Sequence, residues 1–262
     1  MSEHVFPLDD ARLLVERALD EDLGDGTDVT TVATIPEEQE SVSHLVARAD
    51  GVVAGLPVVA LVVEAVDARL GTGVVWVDLH VTDGDAVVRG DHRATLRGST
   101  RTTLISERTI LNVLSRTSGV ATHTRRWADA LAGSGAMVLD TRKTTPGIRA
   151  LEKYAVRCGG GTNKRMGLYD VAMIKDNHKL AAGGLTAAYD AVRARFPEVP
   201  IQVEVTTTAE ALESVGAGAR FLLCDNMSPE LLRATVEAVR ATGEAVEIEA
   251  TGGLTLEVAA EY

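Results

Sequence analysis

The chain has 262 residues and only five lysines, all of them between Lys143 and Lys179. Five lysines placed at random would share so short a window only about once in five hundred trials, and the clustering matters because Lys, a compact point charge, and Arg, a planar fork, do different chemistry. Residues 140–179 carry nine Lys and Arg against four Asp and Glu, a net +5 inside a chain of net charge −12. One basic helix face is the plain explanation. A basic pocket for a small polyanionic substrate explains more, because the same residues fall where short apolar runs end.

Those run ends hold the candidate chemistry. Met137–Asp140 leads into Thr141, Arg142 and Lys143, and Val171–Ile174 leads into Lys175, Asp176, Asn177 and His178. Ile201–Val205 contains Glu204, Phe221–Cys224 runs into Asp225 and Asn226, and Ile248–Ala250 runs into Thr251, Gly252 and Gly253. Arg142 and Arg165 offer forks that match carboxylates or phosphates, while Lys143 and Lys175 are point cations. Glu204 and Asp225 suit Mg²⁺ bound partly through substrate phosphate and water. Thr251–Gly253 would present backbone N–H groups to a phosphate before a helix. Gly159–Gly161 reads as a close-approach loop or a hinge. Arg108, four after Leu104 and three before Leu111, reads as an interface residue or a substrate ligand. Arg149, Lys153 and Arg157 share a helix face, with a solvated stripe as the plain reading. His178 reads as a capping residue or a base, and Cys158 and Cys224 as small apolar fillers. Lysines at strand ends also leave a Schiff-base aldolase or decarboxylase open.

The elements that must position these groups fall into two stretches. Asp9 and Asp10 start a helix over 8–23 that Gly24 stops, and a turn-rich loop follows to Asp28. Short β-rich runs at 44–49, 51–55, 74–80, 86–88 and 94–97, with a helix at 57–70, predict a small α/β sandwich with mostly antiparallel strands. A lipoyl- or biotin-carrier hairpin is excluded there for want of a lysine. From residue 99 a helix through Ser115 and a second one ending near Leu131, separated at Gly119, precede five apolar runs that alternate with helical segments. That alternation implies parallel βα units and an open or incomplete (β/α) barrel. The expected domains are 1–100 and 101–262. A pI near 5.0 argues against a nucleic-acid or anionic-membrane surface. A polar Met1–His4 without a following apolar run argues against a leader, no run is long enough for a membrane helix, and two cysteines without CxxC spacing argue against a disulfide framework or structural zinc. A cytoplasmic protein is expected.

Taken together the motifs resemble the quinolinate phosphoribosyltransferase family. The matching blocks are Glu21–Gly24 with Asp28–Thr31, Glu107–Asn112, Ser118–Thr122, Asp140–Gly147, Lys153–Arg157 with Gly159–Gly161, Ile174–His178, Val203–Val205, Asp225–Asn226 and Glu249–Gly253, in family order over almost the whole chain. The resemblance implies an N-terminal α/β sandwich, a C-terminal open barrel and a homodimer with a shared active site. It implies transfer of a phosphoribosyl group from phosphoribosyl pyrophosphate to quinolinate, with Mg²⁺ and loss of CO₂, in de novo NAD synthesis. Carried over, Arg108 would reach the partner's substrate; Arg142, Arg165 and Lys175 would grip the quinolinate carboxylates. Lys143, Glu204, Asp225 and Thr251–Gly253 would handle phosphoribosyl pyrophosphate and its metal. Lys164 stands where the family usually has His, Thr251 replaces the usual Ser, and the family's last strand and terminal helix are not in the sequence. A phosphoribosyltransferase-like paralogue associated with molybdenum transport, and a degenerate non-catalytic binding protein, are the alternatives.

Overall fold

A computed structural model describes residues 5–262, so Met1–His4 lie outside the described residues. The chain forms two compact units that divide between Lys164 and Arg165. The long helix after residue 99 packs on earlier elements and so belongs to the first unit.

In the first unit α1 (Leu8–Leu23) turns Ala11, Val15 and Leu19 inward. α2 (Val29–Thr34) was not anticipated; Asp28 caps it by accepting from the Thr30 and Thr31 amides at 2.9 and 3.1 Å. β1 (Glu40–Val46), β5 (His92–Ser99) and β3 (Val75–Leu79) form an antiparallel sheet in the order β1-β5-β3, and β2 (Gly51–Val52) pairs with β4 (Ala86–Val87). Between β2 and β3, α3 (Pro57–Leu70) starts on a proline, ends on a left-handed Gly71, and buries Val58, Val59, Val62, Val63 and Val66. These valines meet α1 and the inward residues Val75, Ala94 and Leu96 of the sheet in one core. Gly98 lets β3 and β5 approach: at φ +136° its added Cβ would sit 2.2 Å from the Val74 carbonyl oxygen.

The expected break at Gly119 does not occur. α4 runs unbroken from Thr100 to Ala130. Glycine inside a helix costs about 1 kcal/mol, and side chains on either side of it offset that by pairing with strand-edge backbone. Thr122 Oγ1 accepts from the Val52 amide at 2.9 Å and Ser118 Oγ from the Ala54 amide at 3.1 Å, while Thr117 donates to the Ala54 carbonyl at 2.5 Å. α5 (Arg149–Cys158) completes the unit. Met137–Asp140, expected as a first parallel strand, makes only an isolated bridge between Leu139 and Thr162.

The second unit keeps the predicted βα rhythm. β6 (Ala172–Ile174), β7 (Ile201–Val205), β8 (Phe221–Asp225) and β9 (Glu247–Thr251) are parallel neighbours in that order. α6 (Asp176–Ala182) and α7 (Leu185–Arg195) follow β6, α8 (Thr208–Ala217) follows β7, and α9 (Pro229–Ala241) follows β8. A 3₁₀ helix at Leu256–Glu261 closes the described chain. Val203, Val205, Leu222 and Cys224 point to the helix side and pack with Leu185, Ala188, Ala211, Val215 and Val239. The α/β class read from the sequence, an N-terminal α/β sandwich ahead of an open or incomplete (β/α) barrel, matches this antiparallel sheet followed by a parallel βα array. Leu222 is fully buried at the centre of that core. Leu222→Ala is expected to cost about 2–5 kcal/mol, read as a lower urea midpoint at unchanged slope.

Candidate active site

In the first unit the site residues sit on a loop tied down by buried charge. Lys153 Nζ donates to Asp140 Oδ1 at 2.6 Å, with side-chain exposures of 3% and 4%. Asn163 donates to Asp140 Oδ2 and to the Lys153 carbonyl, both at 2.8 Å, and the Lys164 amide donates to Asp140 Oδ1 at 2.8 Å. Removing one member of such a pair leaves an uncompensated buried charge, worth about 3–5 kcal/mol. Lys153 is therefore no part of a solvated stripe: it anchors the start of the loop that carries Thr141, Arg142 and Lys143. Thr141 and Lys143 are exposed and Arg142 and Lys164 half-buried. Arg149 donates to Thr144 Oγ1 at 3.1 Å, so it too serves the loop. Arg108 lies exposed on α4, on the side away from the buried Ile105, Thr109 and Ile110.

Glu152 fixes the loop's far end. Its carboxylate accepts from Arg116 Nε at 2.7 Å, from the Thr145 amide at 3.0 Å and from Thr145 Oγ1 at 2.8 Å. Burial alone would raise its pKa, but the Thr145 and Arg116 contacts outweigh burial and hold it below the usual carboxylate range. Cys158 and Cys224 are buried fillers, and burial pushes each thiol up to about 11.

In the second unit the strand pleat sorts the charges. Ile174, Val203, Leu222 and Ile248 form one cross-strand row facing the helices. The next residue of each strand must face the opposite way, so Lys175, Glu204, Leu223 and Glu249 share the other face. Asp225 and Thr251, paired with each other two residues further along, share it too. Lys175 and Glu204 form an ion pair through Nζ and Oε2, with Lys175 half exposed and Glu204 mostly buried. The Lys175 amide donates to His178 Nδ1 at 3.0 Å, which caps α6 and fixes that nitrogen as an acceptor. Arg165 donates through Nη1 to the Val171 carbonyl at 3.2 Å, just ahead of β6.

Gly252 meets Asp225 at close range. A Cβ there would fall 2.6 Å from Asp225 Oδ1 and 2.5 Å from Asn226 Oδ1, and its φ is +83°. Asn226 donates to Asp225 Oδ2 at 2.8 Å and its amide to the Thr251 carbonyl at 2.9 Å. Asn226 has φ +52°, alone among the described non-glycine residues in being positive. It had drawn no role from sequence, although Asn is the side chain that tolerates this region best. Thr251, Gly252 and Gly253 are thus held against Asp225, with Thr251 and Gly252 half-buried and Gly253 exposed.

Among the described residues no three His, Cys, Asp or Glu side chains converge to hold a metal by themselves. Two hard carboxylates on neighbouring strands of one face do fit a divalent cation that takes its other oxygens from phosphate and water.

Fold and site together define a two-domain α/β protein with a mixed-charge site at the carboxyl ends of parallel strands. Models of the quinolinate phosphoribosyl transferase N-terminal and C-terminal domains match residues 28–118 and 120–262. The nicotinate-nucleotide pyrophosphorylase [carboxylating] of Mycobacterium leprae is 42% identical over 254 residues, 97% of this chain and 88% of that protein. Quinolinate phosphoribosyltransferase [decarboxylating] 1 of Nicotiana glauca is 38% identical over 268 residues, 96% of this chain and 74% of that one. The crystal structure of NadC from Streptococcus pyogenes superposes with a TM-score of 0.89 at 35% identity, covering 98% of this chain and 87% of that one. The chain belongs to the quinolinate phosphoribosyltransferase family.

The depressed pKa of Glu152 gives a sign. Its stabilising contribution is complete above the free carboxyl value of about 4.3 and is lost as pH falls through the lower folded value. The melting-temperature advantage of wild type over Glu152→Gln is expected to be constant near neutrality and to shrink below about pH 4, measured by thermal denaturation across pH.

Proposed function

We propose that the chain transfers the phosphoribosyl group of phosphoribosyl pyrophosphate to the ring nitrogen of quinolinate. The products are nicotinate mononucleotide, CO₂ and pyrophosphate, a step of de novo NAD synthesis. The observation that carries the reading is the single polar face of the parallel sheet, where Lys175, Glu204 and Asp225 stand together at the strand ends, in a chain matched by both family domains.

The chemistry suits these groups. As pyrophosphate leaves with the bonding electrons, the ribose C1′ becomes oxocarbenium-like, and fixed carboxylates such as Glu204 and Asp225 stabilise that charge. The ring nitrogen then bonds to C1′ and becomes cationic. That cation accepts the electron pair of the breaking C–CO₂ bond, and a proton fills the vacated ring carbon. Lys175 and Arg165 are suited to the quinolinate carboxylates, and Thr251–Gly253 to a phosphate through backbone N–H groups. In the first unit, Arg142, Lys143, Thr141 and Lys164 take their substrate-binding roles from the family motif. Mg²⁺, when bound, would neutralise the leaving pyrophosphate, with Glu204 and Asp225 as its protein ligands.

The reading includes a homodimer with a shared site. Its support is the row Val42–Arg97–Trp76 on the outer face of the β1-β5-β3 sheet, where Val42 is 54% and Trp76 74% exposed, together with the exposed Arg108. No helix among the described residues is long and apolar enough to cross a membrane. Two free, buried cysteines suit a reducing compartment such as the cytoplasm.

Two measurements test this. In steady-state kinetics Arg142→Ala and Arg165→Ala are expected chiefly to raise the quinolinate KM, and Glu204→Ala and Asp225→Ala chiefly to lower kcat. Each lost charge-assisted contact should cost about 1.5–3 kcal/mol in kcat/KM, and all four variants within about twofold of wild type would overturn the assignment. In mixing experiments, Arg108→Ala and Glu204→Ala chains should recover activity together that neither has alone; no recovery despite subunit exchange removes the shared site.

A further inference from the structure

Lys179 is the one lysine of the second unit besides Lys175, and it is buried to 8% exposure. Its Nζ donates to Asp176 Oδ1 at 2.7 Å, to Glu210 Oε1 at 2.8 Å and to the backbone carbonyl of Glu204 at 3.2 Å. Glu210 in turn accepts from the Thr206 amide at 2.8 Å and from Thr206 Oγ1 at 3.1 Å. One ion triad therefore grips the end of β7 on both sides of Val205, at the Glu204 carbonyl and at Thr206. The same short helix, α6, bears His178, which receives the Lys175 amide. Consecutive residues of α6 thus hold both members of the Lys175–Glu204 pair.

The cost of this arrangement points to its purpose. Burial disfavours the Lys179 ammonium, yet its contacts with Asp176 and Glu210 outweigh burial and raise its pKa above the ordinary value. Apolar side chains in place of the whole Lys179–Asp176–Glu210 triad would pack without burying charge, and such replacements are often neutral or stabilising. What an apolar residue could not do is donate to the Glu204 carbonyl while holding Glu210 on Thr206.

We infer that Lys179 is a positioning residue for the proposed phosphoribosyl transfer: with Glu210 as its counter-ion, it sets the height and direction of Glu204 at the end of β7 relative to Lys175. It touches no substrate and acts through Glu204, so its effect belongs in the transition state, where the carboxylate must meet charge that develops only during reaction. The inference rests on the reading that Glu204 takes part in that step.

Full-length Lys179→Met, Lys179→Arg, Glu210→Gln and Glu204→Gln are compared by kcat per folded molecule, KM for both substrates, and melting temperature. Small misplacements of a catalytic group cost up to about a hundredfold, and for Lys179→Met we expect kcat about tenfold lower with both KM values within about twofold. Lys179→Arg, which keeps charge and donors, should restore most of the kcat. Should Lys179→Met fail to fold, Glu210→Gln, which leaves Lys179 its Asp176 and Glu204 contacts, should show the same split in smaller measure. Unchanged kcat per folded molecule, or a loss confined to KM or to melting temperature, overturns the inference, as does a kcat loss that Arg does not restore. Glu204→Gln with wild-type turnover would instead remove the reading beneath it, while a slow Glu204→Gln beside a fully active Lys179→Met removes the inference alone.

Discussion

Side chains on a parallel strand alternate between two faces, and that alternation governs the second unit. Val203 and Val205 must lie under the helices for the core to close, so Gln202 and Glu204 are forced to the other face. Register across the sheet then leaves no freedom: with Ile174 beside Val203 and Leu222, Lys175 is carried alongside Glu204. A one-residue slip would put charge beneath the helices and valines in the site. The apolar core is thus what aims the polar groups, and the energy that holds the candidate site in place is hydrophobic burial on the opposite face of the sheet.

Burial also divides the lysine cluster by task. Lys153 and Lys179 are buried in ion pairs with Asp140, Asp176 and Glu210, whereas Lys143 and Lys175 are exposed, Lys175 while paired with Glu204. A buried pair ties down backbone beside an exposed cation in each unit: Asp140–Lys153 the loop of Arg142 and Lys143, Lys179–Glu210 the end of β7, whose Glu204 pairs with Lys175. A backbone held in place beneath exposed cations suits the proposed polyanionic substrate, because less ordering entropy remains to be lost on binding.

Glycine and asparagine at the end of β8 and β9 solve a different problem. Thr251–Gly253 can lie against Asp225 only because Gly252 has no Cβ and Asn226 accepts a left-handed conformation. Close approach brings the Gly252 backbone against a carboxylate that the proposed reaction needs for its metal or its ribose.

Much of this was legible in the residues alone. Short apolar runs with polar ends located β7 and β8, α1 followed from its acidic start and the glycine that stops it, and α3 was read at its full range. Motifs at the strand ends identified the family, because reaction chemistry restricts residue type at fixed positions. Sequence failed where a distant partner decides. Gly119 reads as a break, yet hydrogen bonds from Thr117, Ser118 and Thr122 to the segment around Val52 keep α4 continuous. Met137–Asp140 reads as a strand, yet Asp140 is bound by Lys153, Asn163 and Lys164 and the segment finds only one bridge. Lysine spacing likewise cannot say which ammonium faces water and which is sealed in a pair. Local propensity and pattern are properties of a segment, so the chain written out determined them; burial and pairing depend on what arrives from far along the chain, so only the folded structure decided them.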